Sequence, residues 1–376
     1  MQRLILAGGG HAHLHVLKQL AVRPRADIEV ILIAPYARQV YSGMVPGWMA
    51  GHYTLDQCAA ELGPLATAAG VRLLRDSVTG IDAGQQMVST ACHASLSYDV
   101  LSLDVGALVD TSCLADTGAR LLAIRPLEAF IVGWQAYVEA STQVGKSQLV
   151  VVGGGAAGVE LALAARHRLR GLMPDTAASV TLVAGRQLLA GHGAAIVRRV
   201  AEALARHGVT VLAGHAAGAP VGLLLDNGRE IEADAVIAAT GVRPAQWLAE
   251  SGLALADDGF VAVGDGQRSV SHPSVFAAGD VASRVDAPHA KSGVYAVRAG
   301  PVLAENLFRA LAGLPVQSYY PQRRSLYLLA TGPQSAIVSW GGLSAAGAWA
   351  WHWKDWIDRR FMRQYDLGKQ VRAMGA

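Results

Sequence analysis

The chain has 376 residues, a formal net charge of +3 and three cysteines. That length allows two or three domains with cores of their own, and the small charge excludes the basic footprint of a nucleic-acid-binding protein. Three scattered cysteines without a C-x-x-C exclude a disulfide framework, and no apolar run reaches the roughly 20 residues that cross a bilayer.

Leu4-Ile5-Leu6-Ala7 begins too early to leave room for a signal peptide, so a cytoplasmic location is expected. The spacing predicts a strand over 4–8, a helix over 11–21 and a strand over 28–33, joined by Gly8-Gly9-Gly10. Glycines there let the backbone turn sharply and approach a pyrophosphate, whose charge faces the N–H groups of the helix start. Gly8, Gly10, His11 and Ala12 are therefore candidate contacts to a dinucleotide. His13 stands where a third glycine usually permits close helix–strand packing, so something must make room for its ring. His11 and His15 have metal-ligand spacing, but no acidic or cysteine ligand accompanies them and no metal is expected.

A second strand, turn and helix follow 145 residues after the first: Leu149-Val150-Val151-Val152, then Gly153-Gly154-Gly155-Ala156-Ala157-Gly158, a helix over 156–170 and a strand over 180–183. Gly153, Gly155, Ala157 and Gly158 are candidate contacts to a second dinucleotide. Two further strands end in glycine turns, one at Gly106 and one at Thr240-Gly241, and these three residues are candidate cofactor contacts. Asp226-Asn227-Gly228-Arg229-Glu230 predicts a hairpin before the latter. A helix over 293–307 follows Pro288.

The two glycine turns, Ala239-Thr240-Gly241 and Ser274-Val275-Phe276-Ala277-Ala278-Gly279-Asp280 together resemble the pyridine nucleotide-disulfide oxidoreductase superfamily. The resemblance implies an α/β fold of two Rossmann-like dinucleotide-binding domains: an FAD domain over 1–112 and 250–311, an inserted NAD(P)H domain over 113–249, and a C-terminal β-hairpin and amphipathic helix over 312–376. It further implies that Asp280 holds the flavin's ribityl chain, that Gly8 and Gly10 meet its pyrophosphate, and that Ser42, Gly43, Gly279, Ser292 and Gly293 contact the cofactor. Tyr41-Ser42-Gly43-Met44 and the aromatic tail look most like type II NADH dehydrogenases. Closer still is the flavoprotein region found fused, in some proteins, to selenophosphate synthetase.

The cofactors implied, FAD and NAD(P)H, carry the redox chemistry themselves, so no triad or carboxylate pair is required. By the resemblance Glu160 positions the nicotinamide, although a first-turn acid also suits the helix dipole, and Lys291 adds positive charge near the flavin carbonyl or is simply a solvated lysine. Neither nucleotide strand ends in the acid that usually binds an adenosine ribose; Arg186 either pairs with the 2′-phosphate of NADPH or is an ordinary loop arginine. A quinone-like acceptor is expected from the family. The alternatives are reduction of a selenium or sulfur species or of a small redox protein, and a redox-sensing flavoprotein with little turnover. No cysteine follows Cys113, which argues against sulfide oxidation or disulfide reduction.

Five of the eight tryptophans, Trp340, Trp349, Trp351, Trp353 and Trp356, lie in the tail. From Ser318 onward there are eight basic residues against three acidic. A helix over 349–363 with Trp349, Trp353, Trp356 and Ile357 on one face suits peripheral contact with the inner face of a membrane. The competing reading packs those tryptophans onto the flavin domain or a homodimer partner.

Overall fold

The computed structural model describes residues 1–322 and 325–366. Two five-stranded parallel sheets organise the chain, each covered on both faces as its continuous apolar strands require. The first runs in the order Val275–Ala277, Val100–Leu103, Gln2–Ala7, Ile28–Ile33, Arg72–Leu74. Leu4 and Leu6 face the helices His11–Val22 and Gly293–Leu311. Ile5 and Ala7 face the opposite layer, built partly from the antiparallel strands Val78–Asp82 and Met87–Thr90 and from Val261–Val263. The two helices approach closely where Gly300 meets Ala12 and His15; a Cβ at Gly300 would lie 2.9 Å from the His15 Cβ.

The second sheet runs Arg120–Ala123, Ala235–Ala238, Ser147–Val152, Ala178–Val183, Val209–Leu212. Helices Leu127–Val144, Ala156–Arg170 and Ala194–Arg206 share one apolar layer with it. The other face is capped by a three-stranded antiparallel sheet, Ala216–Ala219, Gly222–Leu225 and Glu230–Glu232. The hairpin expected at Asp226–Glu230 is present, with Gly228 at φ +81°. Strand Arg120–Ala123 and helices Leu127–Val144 and Ala194–Arg206 add to the elements expected from the sequence. The α/β class with two Rossmann-like sheets agrees with expectation.

The C-terminal region forms three antiparallel strands rather than one hairpin, Tyr327–Ala330, Ala336–Trp340 and Leu343–Gly347, followed by helix Ala348–Arg363. Its apolar side joins a core shared by the second sheet's helices and by Met44, Val45, Met49 and Tyr53 of the first unit. Trp351 is 6% exposed, stacked on Tyr53 at 6.3 Å and edge-on to His52 at 5.6 Å. The Tyr53 hydroxyl donates to Asp355 at 2.8 Å.

The amphipathic expectation is corrected in part. Trp349, Trp353 and Trp356 do point outward, 53%, 40% and 55% exposed, because the neighbouring face of the same helix is occupied by Trp351 and Phe361. Two of the expected flanking cations are turned to their own helix: Lys354 bonds Asp358 at 2.7 Å and Arg359 bonds Asp355 at 2.8 Å. Arg323, Arg324, Lys369 and Arg372 lie outside the described residues. Among the described residues, no helix is long and apolar enough to cross a membrane.

Trp351→Ala removes a buried aromatic that three parts of the chain share. We expect a loss of about 3 kcal/mol in chemical denaturation, at the low end for buried Trp→Ala, whereas Trp356→Ala leaves stability within about 0.5 kcal/mol.

Candidate active site

The first glycine turn is closed from behind by a residue that no sequence motif marks. Asp104, at the end of strand Val100–Leu103, accepts hydrogen bonds from the backbone N–H groups of Ala12 at 2.8 Å and His13 at 3.0 Å. Its carboxylate thereby satisfies two of the donors that a helix start leaves open. A Cβ at Gly10 would overlap that carboxylate, and one at Gly8, whose φ is +93°, would strike the Asp104 carbonyl. Glycine is required at both positions. The Ala12 amide, expected to meet a cofactor, is bonded to Asp104 instead. Burial pushes the Asp104 carboxyl up to about 7, against the pull of the two amides.

His13 fits because small Ser102 faces it. Nδ1 lies 2.6 Å from the Gly8 carbonyl and Nε2 lies 2.8 Å from the Ser102 hydroxyl, so the ring ties the turn to the adjacent strand. Burial lowers both His13 and His11 to about 4. His11 stands edge-on to Tyr41 at 5.5 Å, and its Nε2 is buried without a hydrogen-bond partner.

A cleft of about 370 Å³ crosses this turn from Pro35 and Tyr36 to Gly293 at the start of helix Gly293–Leu311. Gly8, Gly10, His11, Ser42, Gly106, Gly279, Asp280 and Gly293 line it. The second unit supplies part of the wall through residues 125–128, Ala245 and Trp247. Arg125 forms an ion pair with Asp280 across the cleft. An elongated space floored by side-chain-free backbone, ending at a helix N-terminus and containing an orphaned ring nitrogen, fits a dinucleotide.

In the second turn Gly153, at φ +134°, lies so close to the Ala239 carbonyl that a Cβ would overlap it, and a Cβ at Gly158 would overlap the Gly153 carbonyl. Gly155, the N-cap residue of helix Ala156–Arg170, faces open space, and Ala157 is exposed in the helix's first turn. Arg186 is exposed just beyond strand Ala178–Val183, where the second position of an adenosine ribose falls in such folds. Thr240 departs from expectation: its hydroxyl donates to the Asp110 carbonyl at 2.5 Å, and Gly241 accepts from the Asp110 amide at 2.8 Å. Both belong to the joint at which Leu108–Val109 pairs with Val242–Arg243.

The family model for pyridine nucleotide-disulphide oxidoreductases matches residues 2–300. The chain belongs to that family. Its cofactors are FAD and NAD(P)H. An NADH dehydrogenase-like protein of Mycobacterium tuberculosis is 29% identical over 312 residues, 77% of this chain and 75% of the relative. The ferredoxin–NAD(+) reductase component of a biphenyl dioxygenase system from Paraburkholderia xenovorans is 35% identical over 217 residues, 55% of this chain and 49% of the relative. The solved sulfide:quinone oxidoreductase of Aquifex aeolicus shares the fold at a TM-score of 0.81 and 17% identity, covering 98% of this chain and 92% of that one.

The two residues that the family resemblance makes catalytic lie apart from each other. Lys291 turns away from the cleft: its ammonium donates to the Ala282 carbonyl and the Ser283 hydroxyl, both at 2.7 Å, sits 3.4 Å from Asp258 and lies 3.8 Å above the Phe260 ring. Burial lowers its pKa, opposed by Asp258. Its charge serves the layer under the first sheet, which corrects the expectation that it faces the flavin. Ser292 precedes helix Gly293–Leu311 as its N-cap residue without a side-chain cap bond.

Glu160 accepts from the Ala330 amide at 2.8 Å, and burial pushes it up to about 7, opposed by Lys354. Lys354, from the tail helix, donates to the Gly43 carbonyl at 2.5 Å and to Asp358. Burial opposes the Lys354 charge, but Asp358 and Glu160 outweigh it and raise its pKa. Gly43 is thus a ligand of the tail lysine, one residue beyond the cleft-lining Ser42. In sequence only the four-residue spacing of Lys354 and Asp358 hints at this cluster, since Gly43 lies 311 residues before Lys354.

An aspartate of the unfolded chain titrates at about 4. Between that value and about 7, native Asp104 keeps a proton that the unfolded chain has released. Its stabilising contribution is therefore lost as pH rises through that window. We expect wild-type apoprotein to lose stability relative to Asp104→Asn across this window, measured by denaturant titration at several pH values.

Proposed function

We propose that the chain oxidises NAD(P)H through FAD and passes the electrons to a quinone-like acceptor. When bound, the flavin takes hydride from the reduced nicotinamide and releases electrons to a second acceptor. The reading is carried by the meeting of the two units at one cleft, with the buried Glu160–Lys354–Asp358 cluster tied to Gly43, the residue after the cleft-lining Ser42. Glu160, Lys354 and Asp358 would hold and deliver a proton to a carbonyl acceptor, and the walls of the cleft exclude water while orienting the reacting groups. The NADH dehydrogenase-like relative supports this reading. Outward Trp349, Trp353 and Trp356 suit a membrane interface, where an apolar acceptor is concentrated.

A small redox protein is the second reading, favoured by the ferredoxin reductase relative. A selenium species is a third acceptor worth assaying, on the strength of the motif resemblance.

Anaerobic NADPH should bleach the flavin, and a soluble quinone should restore it promptly. Bleaching without recovery rejects quinone and moves the acceptor to a ferredoxin or a selenium species. Glu160→Gln should slow the reoxidation step on the order of 100-fold, as removal of an acid–base group does, while flavin reduction is spared. Arg186→Ala should raise KM for NADPH roughly 10-fold and leave KM for NADH nearly unchanged, as expected for a lost charge-assisted bond to the 2′-phosphate.

A further inference from the structure

Strand Ile28–Ile33 ends in Ala34-Pro35, where dinucleotide-binding folds usually place an acid that accepts from the ribose hydroxyls. Pro35 and Tyr36 line the cleft at this strand end, and Glu128 lines it with them. Tyr36 feels the Glu128 charge, which sets that carboxylate close to the position left without an acid.

Glu128 comes from the other unit. It stands in the first turn of helix Leu127–Val144, and its carboxylate accepts from its own amide and from the Val40 amide of strand Arg38–Val40. The bond to Val40 reaches from the second unit to the first and fixes the acid at the cleft wall. A carboxylate has about four acceptor sites, so two amides leave room for a ligand's hydroxyls. The other carboxylates lining the cleft among the described residues are engaged: Asp104 by the Ala12 and His13 amides, Asp280 by Arg125. A first-turn acid also suits the helix dipole, but that role requires neither the bond to Val40 nor a place in the cleft.

We propose that Glu128, carried by the second unit, accepts the hydroxyls of the adenosine ribose in the first cleft and thereby bars a 2′-phosphate from it. A carboxylate placed to bond a ribose diol repels a phosphate in the same position at short range. The acid sorts the two dinucleotides: FAD, with a free 2′-hydroxyl, fits the first cleft, and NADPH is left to the second, where Arg186 stands exposed. This rests on FAD as the family's cofactor and on no particular electron acceptor, so a failed quinone assay leaves it standing.

The test is competition against FAD on the full-length apoprotein, so that only the flavin cleft is read, for wild type, Glu128→Gln and Glu128→Asp. The competitors are ADP, 2′,3′-dideoxy-ADP and 2′-phospho-ADP. Wild type should prefer ADP to dideoxy-ADP on the order of 10- to 100-fold, the range for hydrogen bonds to a charged acceptor, and should reject 2′-phospho-ADP. Glu128→Gln, which keeps the shape and loses the charge, should weaken ADP about 10-fold, leave dideoxy-ADP unchanged and tighten 2′-phospho-ADP. A full preference for ADP that survives in Glu128→Gln overturns the proposal. Equal weakening of ADP and dideoxy-ADP overturns it too, because it shows a reshaped cleft and no lost ribose contact. Continued rejection of 2′-phospho-ADP overturns the sorting role. If Glu128→Gln fails to fold by circular dichroism, Glu128→Asp decides alone. Its carboxylate is drawn back from the ribose, so a reduced preference for ADP over dideoxy-ADP supports the contact, and an unchanged preference rejects it.

Discussion

A carboxylate set against a helix N-terminus holds the first unit in working shape. Asp104 reaches from the strand Val100–Leu103 to two amides of the helix that begins at His11. Because Gly10 and Gly279 both lie against that carboxylate, the glycine turn and the Gly279-Asp280 segment are registered through one side chain. The usual division of labour in such turns gives the helix amides to the ligand. Here some of them are committed to the protein, and the remaining cradle depends on the Gly8–Gly10 backbone and on side chains across the cleft.

The joint between units is the second constraint. Residues 40–58 of the first unit, the helical layer of the second, and the tail form a single apolar core. The tail helix is therefore part of the site's architecture as well as a candidate surface element. Its inner side delivers Trp351 to the core and Lys354 to the Gly43 carbonyl, while the outer side shows three tryptophans. Arg199 on helix Ala194–Arg206 reaches Ser344 at 3.0 Å, which secures the antiparallel strands to the second unit as well.

Much of this architecture is legible in the amino-acid sequence. The glycine turns, the two βαβ starts and the Ser274–Asp280 motif carry the fold class and the glycine floor of the cleft, since backbone approach to a phosphate leaves a local signature. What stays hidden depends on long-range pairing. Nothing near Asp104 announces that its carboxylate caps a helix 92 residues earlier in the chain. Arg125 likewise belongs by sequence to one unit and by position to the other's cleft. Family position alone points Lys291 and Thr240 at a cofactor, and in both cases a nearby carbonyl or carboxylate claims the polar group. The tail shows the limit of periodicity: the spacing of its tryptophans sets Trp349, Trp353 and Trp356 together on the outer face, but cannot say that Lys354 and Arg359 turn back to acids one turn away.

Strand Val275–Ala277 closes the first sheet from its edge, although the neighbouring strand Val100–Leu103 is synthesised long before it. As the chain leaves the ribosome, every strand of the second sheet is available while the first still lacks its last member. Val275–Ala277 can therefore add to Val100–Leu103, and the helix Gly293–Leu311 to His11–Val22, only after the whole intervening segment has been made. Gly279 and Asp280 reach the cleft only with that late segment. The order of synthesis thus makes a completely lined cleft available only after every strand of the second sheet has been made.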